Sequence, residues 1–366
     1  MSAALARELV MSYGWNATSC QILNPGIDYW FSSGIQAVVG YTRRNSLLVV
    51  AGAPVCAPEL LAAACAEFEA YARGQGCGVC YVCAEDRLLT LFQRSRNHST
   101  VVLGAHPAWD PRTWTRIVQG NASLRAQLNR SRNKGVTVEC VLPEQAAANP
   151  ELRRVLREWL QARRLPPMHF LVEPHVLDGV VDDRVVLVAS WHGDAVAFLV
   201  ASPIVAKNGY FVELLARSPS SPNGTGELLI DAAMQRFARQ ERRYVTLGLV
   251  ALAHAVDKDM HRNPLWLRAL MQFARAHANR FYSFRGLEQF RLKMDPERWE
   301  PIFAISNEKT FSVRTLYNLG GAFSGISPWL AIAIGIARAI RQELKGPASL
   351  WRRNGGIHHL TGGERK

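Results

Sequence analysis

The 366-residue chain lacks the short signatures that announce several large enzyme classes. It has no Gly-x-Ser-x-Gly elbow and no Gly-Lys-Ser/Thr loop, which argues against α/β-hydrolase and P-loop chemistry. His169, His175, His192, His254 and His261 are scattered without metal-ligand spacing, and no second cysteine pair or histidine completes a zinc set. Seven cysteines, an odd number in a chain this long, give no disulfide framework. Cys77-Gly-Val-Cys80-Tyr-Val-Cys83 has the gaps of thiolate ligation but no fourth thiolate at iron–sulfur spacing. Val79, Tyr81 and Val82 give that run strand character, so its cysteines are expected as buried thiols. Neither a metal nor an organic cofactor is expected. The first ten residues also lack the basic start and sustained apolar stretch of a secretion signal, since Arg7 and Glu8 interrupt them, which predicts a cytoplasmic chain.

At 48% hydrophobic residues, the chain can bury one large or two medium cores. Lys and Arg number 43 against 30 Asp and Glu, a formal charge of +13, and such a field attracts polyanions, with RNA and anionic lipid both eligible. The charge is clustered. Phe281 to Pro301 interleaves Arg285, Arg291 and Lys293 with Phe281, Tyr282, Phe284, Phe290 and Trp299, a mixture suited to phosphate contact and base or sugar stacking. The same pattern also suits an edge strand with a solvated basic face. Upstream, Ser123 to Gly135 reads as a helix, Ser123 capping its start and Gly135 its end. Leu124 and Leu128 share one face, and Arg125, Arg130, Arg132 and Lys134 crowd the rest. Cations near a helix C-terminus offset its dipole, but one or two would suffice, so a phosphate track is the second use for Arg125, Arg130 and Lys134, with Arg112 and Arg116 able to extend it.

Strands and helices alternate in two similar runs. The first has strands at Ile35–Val39, Leu47–Ala51, Gly78–Ala84 and Thr100–Leu103, with helices at Pro58–Arg73 and Arg87–Arg94. The second has helices at Glu151–Ala162, Gly226–Gln240 and Pro264–Ala278, and strands at Val185–Trp191, Ala195–Ser202, Gly209–Ala216, Tyr244–Leu249 and near Arg280–Ser283. This order predicts a mixed sheet with helices on its faces. From Tyr210 to Glu227 a strand enters a turn and then a helix. Asn223-Gly-Thr-Gly226 at that helix start can present free N–H groups to an anion, or can be a plain helix-start turn.

In order along the chain, Tyr29-Trp-Phe-Ser-Ser-Gly34, the basic helix with Asn129-Arg130 and Lys134-Gly135, Arg217 to Glu227, Leu247-Gly248 and Phe281 to Pro301 form five landmarks. Together they resemble the C-terminal catalytic domain of bacterial phosphatidylglycerol lysyltransferases, the multiple peptide resistance factors, from about Gln21 to Phe303. Ala51-Gly-Ala-Pro54, Ala216 and Ala251 depart from that family's acidic Gly-Asp-Pro, arginine and proline. The resemblance implies an α/β fold of two tandem acetyltransferase-type, GNAT-like lobes with mixed sheets packed around the basic helix. Residues 1–140 would form the first lobe, 141–312 the catalytic lobe, and 313–366 an apolar helix and basic tail. It further implies transfer of an amino acid from aminoacyl-tRNA to the hydroxyl of a lipid such as phosphatidylglycerol. Glu213, Arg217 and Glu227 would be catalytic, the carboxylates serving amino-group binding or proton transfer, and Arg217 or Lys293 would meet the oxyanion or phosphate. Arg125, Arg130, Lys134, Asn223, Gly224, Arg285, Arg291 and Lys293 would bind substrate. The family's multi-pass N-terminal half is not in this sequence, so it is expected to make a lipid without exporting it.

Two other readings are open: an acyl-CoA-dependent N-acyltransferase, which would need pyrophosphate held at Asn223–Gly226, and a non-catalytic RNA- or membrane-binding module. Thr315 to Ala337 carries no charge, and from Ser327-Pro328 a helix is expected with Trp329, Ile332, Ile336, Ile340 and Leu344 near one side. Core packing, an in-plane interfacial helix and a membrane span are the alternatives, with Asn318, Gly320, Gly321, Gly325 and Pro328 weighing against a span. Peripheral contact with the inner face of the cell membrane is expected if the interfacial reading holds.

Overall fold

The computed structural model describes residues 2–162, 170–171, 176–178, 183–277 and 284–324, and the structural statements below concern these residues. The strands are β1 (Asp28–Phe31), β2 (Ala37–Arg44), β3 (Leu47–Ala51), β4 (Val55–Cys56), β5 (Gly78–Ala84), β6 (Ser99–Trp109), β7 (Thr137–Val141), β8 (Val185–Trp191), β9 (Asp194–Ile204), β10 (Gly209–Arg217), β11 (Tyr244–Thr246), β12 (Val250–Ala251) and β13 (Arg298–Ser306). The helices are α1 (Ser2–Tyr13), α2 (Leu61–Gly74), α3 (Asp86–Phe92), α4 (Trp114–Gly120), α5 (Ala122–Asn133), α6 (Pro143–Ala148), α7 (Pro150–Ala162), α8 (Thr225–Arg239), α9 (Asp257–Met260), α10 (Leu265–His277), α11 (Phe284–Leu292) and α12 (Val313–Ser324).

The mixed α/β class is as expected, and the sheet is continuous. One sheet runs through both halves in the order β1-β2-β3-β5-β13-β6-β11-β10-β9-β8-β7, with β4 on β2 and β12 on β6. The join is made by β6, read in sequence as four residues and found to be eleven. Its early part pairs with the end of β13, and its end, at Ala108 and Trp109, also pairs with β11. β13 returns from far along the chain to lie between β5 and β6. Such a pairing leaves no local trace beyond an extended, half-apolar run.

Period-two alternation sorts the side chains to the two faces. In β3, Leu48 and Val50 pack with Phe68 and Cys65 of α2, while Leu47 and Val49 pack with Leu9 of α1, Leu267 of α10 and Leu319 of α12. In the second half, Leu187, Leu199 and Val212 meet Leu229, Met234 and Phe237 of α8 and Leu124 and Leu128 of α5. On the opposite face Val186, Phe198 and Leu214 meet Leu152 and Val155 of α7. Each such side chain, fully buried, contributes about 1.5–3 kcal/mol. Cys77, Cys80 and Cys83 are buried, and burial pushes the Cys83 thiol up to about 12, so it stays protonated.

Two local readings are corrected. The aromatic–basic segment is not an edge strand: its described part forms helix α11, and Arg298 onward is a central strand. Spacing explains the helix, since Leu287, Phe290 and Arg291 are partly buried on one side and Glu288 is buried beside them. The basic helix is capped by Asn121 rather than Ser123, because the Asn121 carboxamide oxygen accepts from Leu124 N at 2.9 Å. The strand expected near Arg280–Ser283 and the helix expected from Ser327 lie outside the described residues.

Candidate functional site

β10 and β11 run parallel for only three residue pairs, Gly209↔Tyr244 to Phe211↔Thr246. Beyond them β10 stays with β9 and bulges between Val212 and Leu214, while the other strand gives way to Leu247 and Gly248. The parallel pair therefore opens into a wedge. Gly248 is required there, for its φ is +76° and a Cβ would lie 2.6 Å from the Phe211 ring. The Arg291 guanidinium of α11 enters from the side and donates to Leu247 O at 2.5 Å.

At the mouth of this wedge β10 turns into α8. Gly224 caps α8 with φ +95°, and a Cβ on it would lie 2.2 Å from the backbone oxygen of Gln127. The helix start is thereby pressed against α5. Glu227, in the first turn of α8, is buried, and its carboxylate accepts from Lys293 Nζ at 2.8 Å. The Lys293 side chain is about a quarter exposed, so the pair sits at a boundary between core and solvent. Phe290 lies over Gly226, its ring within 4.0 Å of where a Cβ would be.

The Lys293 backbone is fixed from two directions. Trp109, fully buried, donates Nε1–H to the carbonyls of Met294 at 2.9 Å and Asp295 at 3.2 Å. Asn121, besides capping α5, donates Nδ2–H to Lys293 O at 2.9 Å. One asparagine thus couples the start of the basic helix to the residue that neutralises Glu227. Four residues after Glu227, buried Asp231 accepts from Trp114 Nε1 at 2.9 Å, from Arg132 Nη2 at 2.7 Å and from Gln235 at 2.9 Å. This clamps the far end of α5 to α8.

The cations of α5 divide into two sets. Arg125 donates to the carbonyls of Val118, at 3.2 Å, and Gln119, closing the end of α4, and Arg132 is held by Asp231. Arg130 and Lys134 are exposed, as is Arg116 on α4. Arg112 donates to Asp110 at 2.6 Å, and this holds the Asp110 carboxyl below its ordinary range. Arg217 at the end of β10 and Asn223 before the α8 cap are both exposed. Arg285 belongs to α11.

Glu213 does not join the Glu227–Lys293 pair. It lies at the β10 bulge with Leu214, on the α7 side of the sheet, where Ser202 Oγ donates to it at 2.6 Å, Asn24 Nδ2 at 2.8 Å and Arg184 at 3.2 Å. Arg184 and Glu213 have side chains only 3% and 4% exposed, so this ion pair is internal. Beside it, burial first and the Glu213 charge second push the Cys20 thiol up to about 12.

A second buried polar group lies where β5, β6, β11 and β13 converge. Glu85 accepts from Lys207 Nζ at 2.5 Å and Ala17 N at 2.7 Å, and burial pushes its carboxyl up, against the opposing pull of Lys207. Glu300 accepts from Tyr244 at 2.7 Å and Arg298 at 2.8 Å; burial raises its carboxyl, but Lys207, Arg298 and Tyr244 outweigh that and hold it below its usual value. His106, opposite Glu300 in register, is lowered to about 3, first by burial and then by Lys207.

Asn24, Trp109, Trp114, Asn121, Arg184 and Asp231 were not found from sequence. Asp231 could have been, because it lies four residues from Glu227 on one helix face, and so could Asn121, whose cap on Leu124 N is local; the others meet their partners only through the fold.

Residues 7–306 match the family described as phosphatidylglycerol lysyltransferase, C-terminal. A phosphatidylglycerol lysyltransferase from Staphylococcus epidermidis is 22% identical over 302 residues, covering 82% of this chain and 35% of the relative. The chain thus spans about a third of the length of the curated relatives it matches. Among solved structures, one described as the C-terminal domain of a lysylphosphatidylglycerol synthetase from Agrobacterium fabrum superposes with a TM-score of 0.71 at 22% identity, covering 88% of this chain and 97% of that one. L-PGS from Bacillus licheniformis gives 0.70 at 21% identity, covering 91% and 95%. These likenesses share the mixed α/β fold of this chain. With four-fifths of its length matched, the chain belongs to the phosphatidylglycerol lysyltransferase C-terminal family.

Proposed function

We propose that this chain moves an aminoacyl group from aminoacyl-tRNA to the hydroxyl of a membrane phospholipid, with phosphatidylglycerol the acceptor to test first. The observation that carries the proposal is the Glu227–Lys293 pair, 2.8 Å apart at the capped start of α8, with the exposed Arg130 and Lys134 on the helix packed against that cap.

An aminoacyl ester is already activated, so the chemistry is one exchange of oxygens at a carbonyl carbon. The lipid hydroxyl oxygen bonds to the ester carbon, its proton leaves, the tetrahedral oxyanion collapses, and the ribose oxygen departs with a proton. Glu227 is suited to hold the proton between those two oxygens, and Lys293 to oppose the oxyanion charge in a site half shielded from water. Holding the two substrates together can supply about 7–11 kcal/mol of the barrier. In this reading Arg130, Lys134 and Arg116 contact tRNA phosphates, while Arg217 and Asn223 stand at the rim of the turn. Glu213, already neutralised by Arg184, serves as a positioning residue that maintains the β10 bulge and so the wedge.

The test incubates the protein with charged tRNAs and phosphatidylglycerol vesicles and follows labelled amino acid into the organic phase. Label there that falls about 100-fold with Glu227→Gln supports the assignment. Undiminished transfer by that variant refutes the role of Glu227, and no transfer to any lipid refutes the reaction.

A further inference from the structure

Most exposed large hydrophobic side chains lie on the three helices that cover one sheet face of the first half. On α10, Leu265 is 78% exposed, Phe273 63% and Leu270 45%; α12 presents Val313 at 66% and Tyr317, and α1 presents Leu5. The inner faces of the same helices are already buried in one core, through Leu267, Leu319 and Ala322, and Ala6, Leu9 and Val10. Their outer apolar residues therefore look toward the same side of the molecule. Leu265, Ala269 and Phe273 recur at four-residue spacing along one stripe of α10, with Leu270 flanking it.

The charges carried by α10 and α12 have one sign, while α1 carries the exposed Glu8 next to Arg7, and Asp257 lies beside α10 as the partner of Arg275. Neither α10 nor α12 contains an Asp or Glu, whereas Arg268 and Arg275 lie on α10, Arg314 on α12 and exposed Arg262 just before α10. Arg275 is braced against Asp257 at 2.8 Å and Arg268 against His261 at 3.1 Å, which fixes cations at the edge of the apolar stripe. Leucine and phenylalanine on the outer face of a helix that carries arginine and no carboxylate of its own match an anionic bilayer, whose surface attracts the cations and whose interior accepts the apolar side chains. No described helix is long and apolar enough to cross a membrane, which suits a surface that lies in the interface plane.

We infer that α10, with α12 and α1 beside it, docks the chain on an anionic phospholipid surface. This rests on the lipid-acceptor reading above and locates the contact on described helices, separate from the one expected beyond Ser327.

The experiment measures sedimentation of the chain with vesicles of phosphatidylglycerol and phosphatidylcholine, and with phosphatidylcholine alone. Binding to the first, weakened by 0.5 M salt and reduced about tenfold or more by Leu265→Asp combined with Leu270→Asp, supports the inference. Equal binding by that variant, or no binding by the native chain, overturns it. A fluorophore that senses polarity, placed on Leu265→Cys in a Cys140→Ser background, gives a reading that does not depend on the aspartates being tolerated; Cys140 is the exposed cysteine among the described residues. A blue shift on anionic vesicles supports docking through α10, and an unchanged spectrum overturns it. A dimer that forms with concentration and dissolves with the aspartate variant, without vesicle binding, also overturns it. Transfer to a water-soluble, short-chain phosphatidylglycerol separates the two proposals. Retained transfer in the aspartate variant with vesicle binding lost supports docking, while a failed transfer reaction leaves the vesicle readings intact.

Discussion

Gly224→Ala is expected to damage both stability and the site, and the two effects can be separated. The new Cβ would stand 2.2 Å from Gln127 O, 3.0 Å from its carbonyl carbon and 3.3 Å from Ser131 Cβ, all on α5. Ordinary contact needs more than 3 Å, so α5 must retreat by about 1 Å or the α8 cap must open. Alanine at a left-handed φ costs roughly 1–2 kcal/mol, and overpacking between two fixed helices costs about 1–3 kcal/mol more. The sum of about 2–5 kcal/mol corresponds to a fall in Tm on the order of 10 °C. Because α5 is also tied to Lys293 O through Asn121, its retreat drags on the residue paired with Glu227. A displacement near 1 Å lowers transfer by about 100-fold at temperatures where the variant is still folded. The control is Gly226→Ala, whose Cβ would meet Leu215 and Phe290 at an ordinary 3.6–3.8 Å, and whose Tm should stay within a few degrees of native. Calorimetric melting of both variants, with transfer measured at 20 °C, tests the chain of reasoning. A Gly224→Ala protein that melts with the native one would refute the close α5–α8 contact as its basis.

Other consequences follow from single groups. His106 titrates near 3 when folded and at its ordinary 6.5 when unfolded, so its contribution to stability is complete above pH 6.5 and is lost as pH falls toward 3, by up to about 1.4 kcal/mol per pH unit. Urea unfolding between pH 7 and 4.5 should therefore steepen relative to His106→Gln, and parallel curves would contradict a buried neutral histidine. Asp231→Asn weakens charge-assisted bonds to Arg132 and Trp114, with an expected loss of about 1–3 kcal/mol read from denaturant midpoints. Arg130→Glu with Lys134→Glu should leave Tm unchanged, since both are exposed, but weaken tRNA binding and flatten its salt dependence by about two units of slope; unchanged binding would remove the α5 phosphate track.

How much of this was legible in the sequence depended on the range of the interaction. β3, β5 and β8 were read to the residue because alternation and flanking turns are local. α8 was placed within a residue by its glycine turn and apolar repeat. The insertion of β13 between β5 and β6 was invisible, because its pairing joins residues such as Ser99 and Ser306 that no window holds together. The same applies to the site. Family resemblance picked out Glu227 and Lys293 separately, and only the fold brings them together across 66 residues. It also picked out Glu213, whose partner Arg184 left no sequence signal and whose side of the sheet is set by a bulge. Gly224 was read as part of an anion-binding turn, and the structure supplies a steric reason for it, the oxygen of Gln127.

The most direct measurement is mass spectrometry of the lipid extract after incubation of the chain with phosphatidylglycerol and charged tRNA, beside a reaction with the same tRNA deacylated beforehand. The account predicts an aminoacyl-phosphatidylglycerol ester that forms only with charged tRNA and is nearly absent with Glu227→Gln. No ester in either reaction, or an ester that forms equally with the deacylated tRNA, would contradict it.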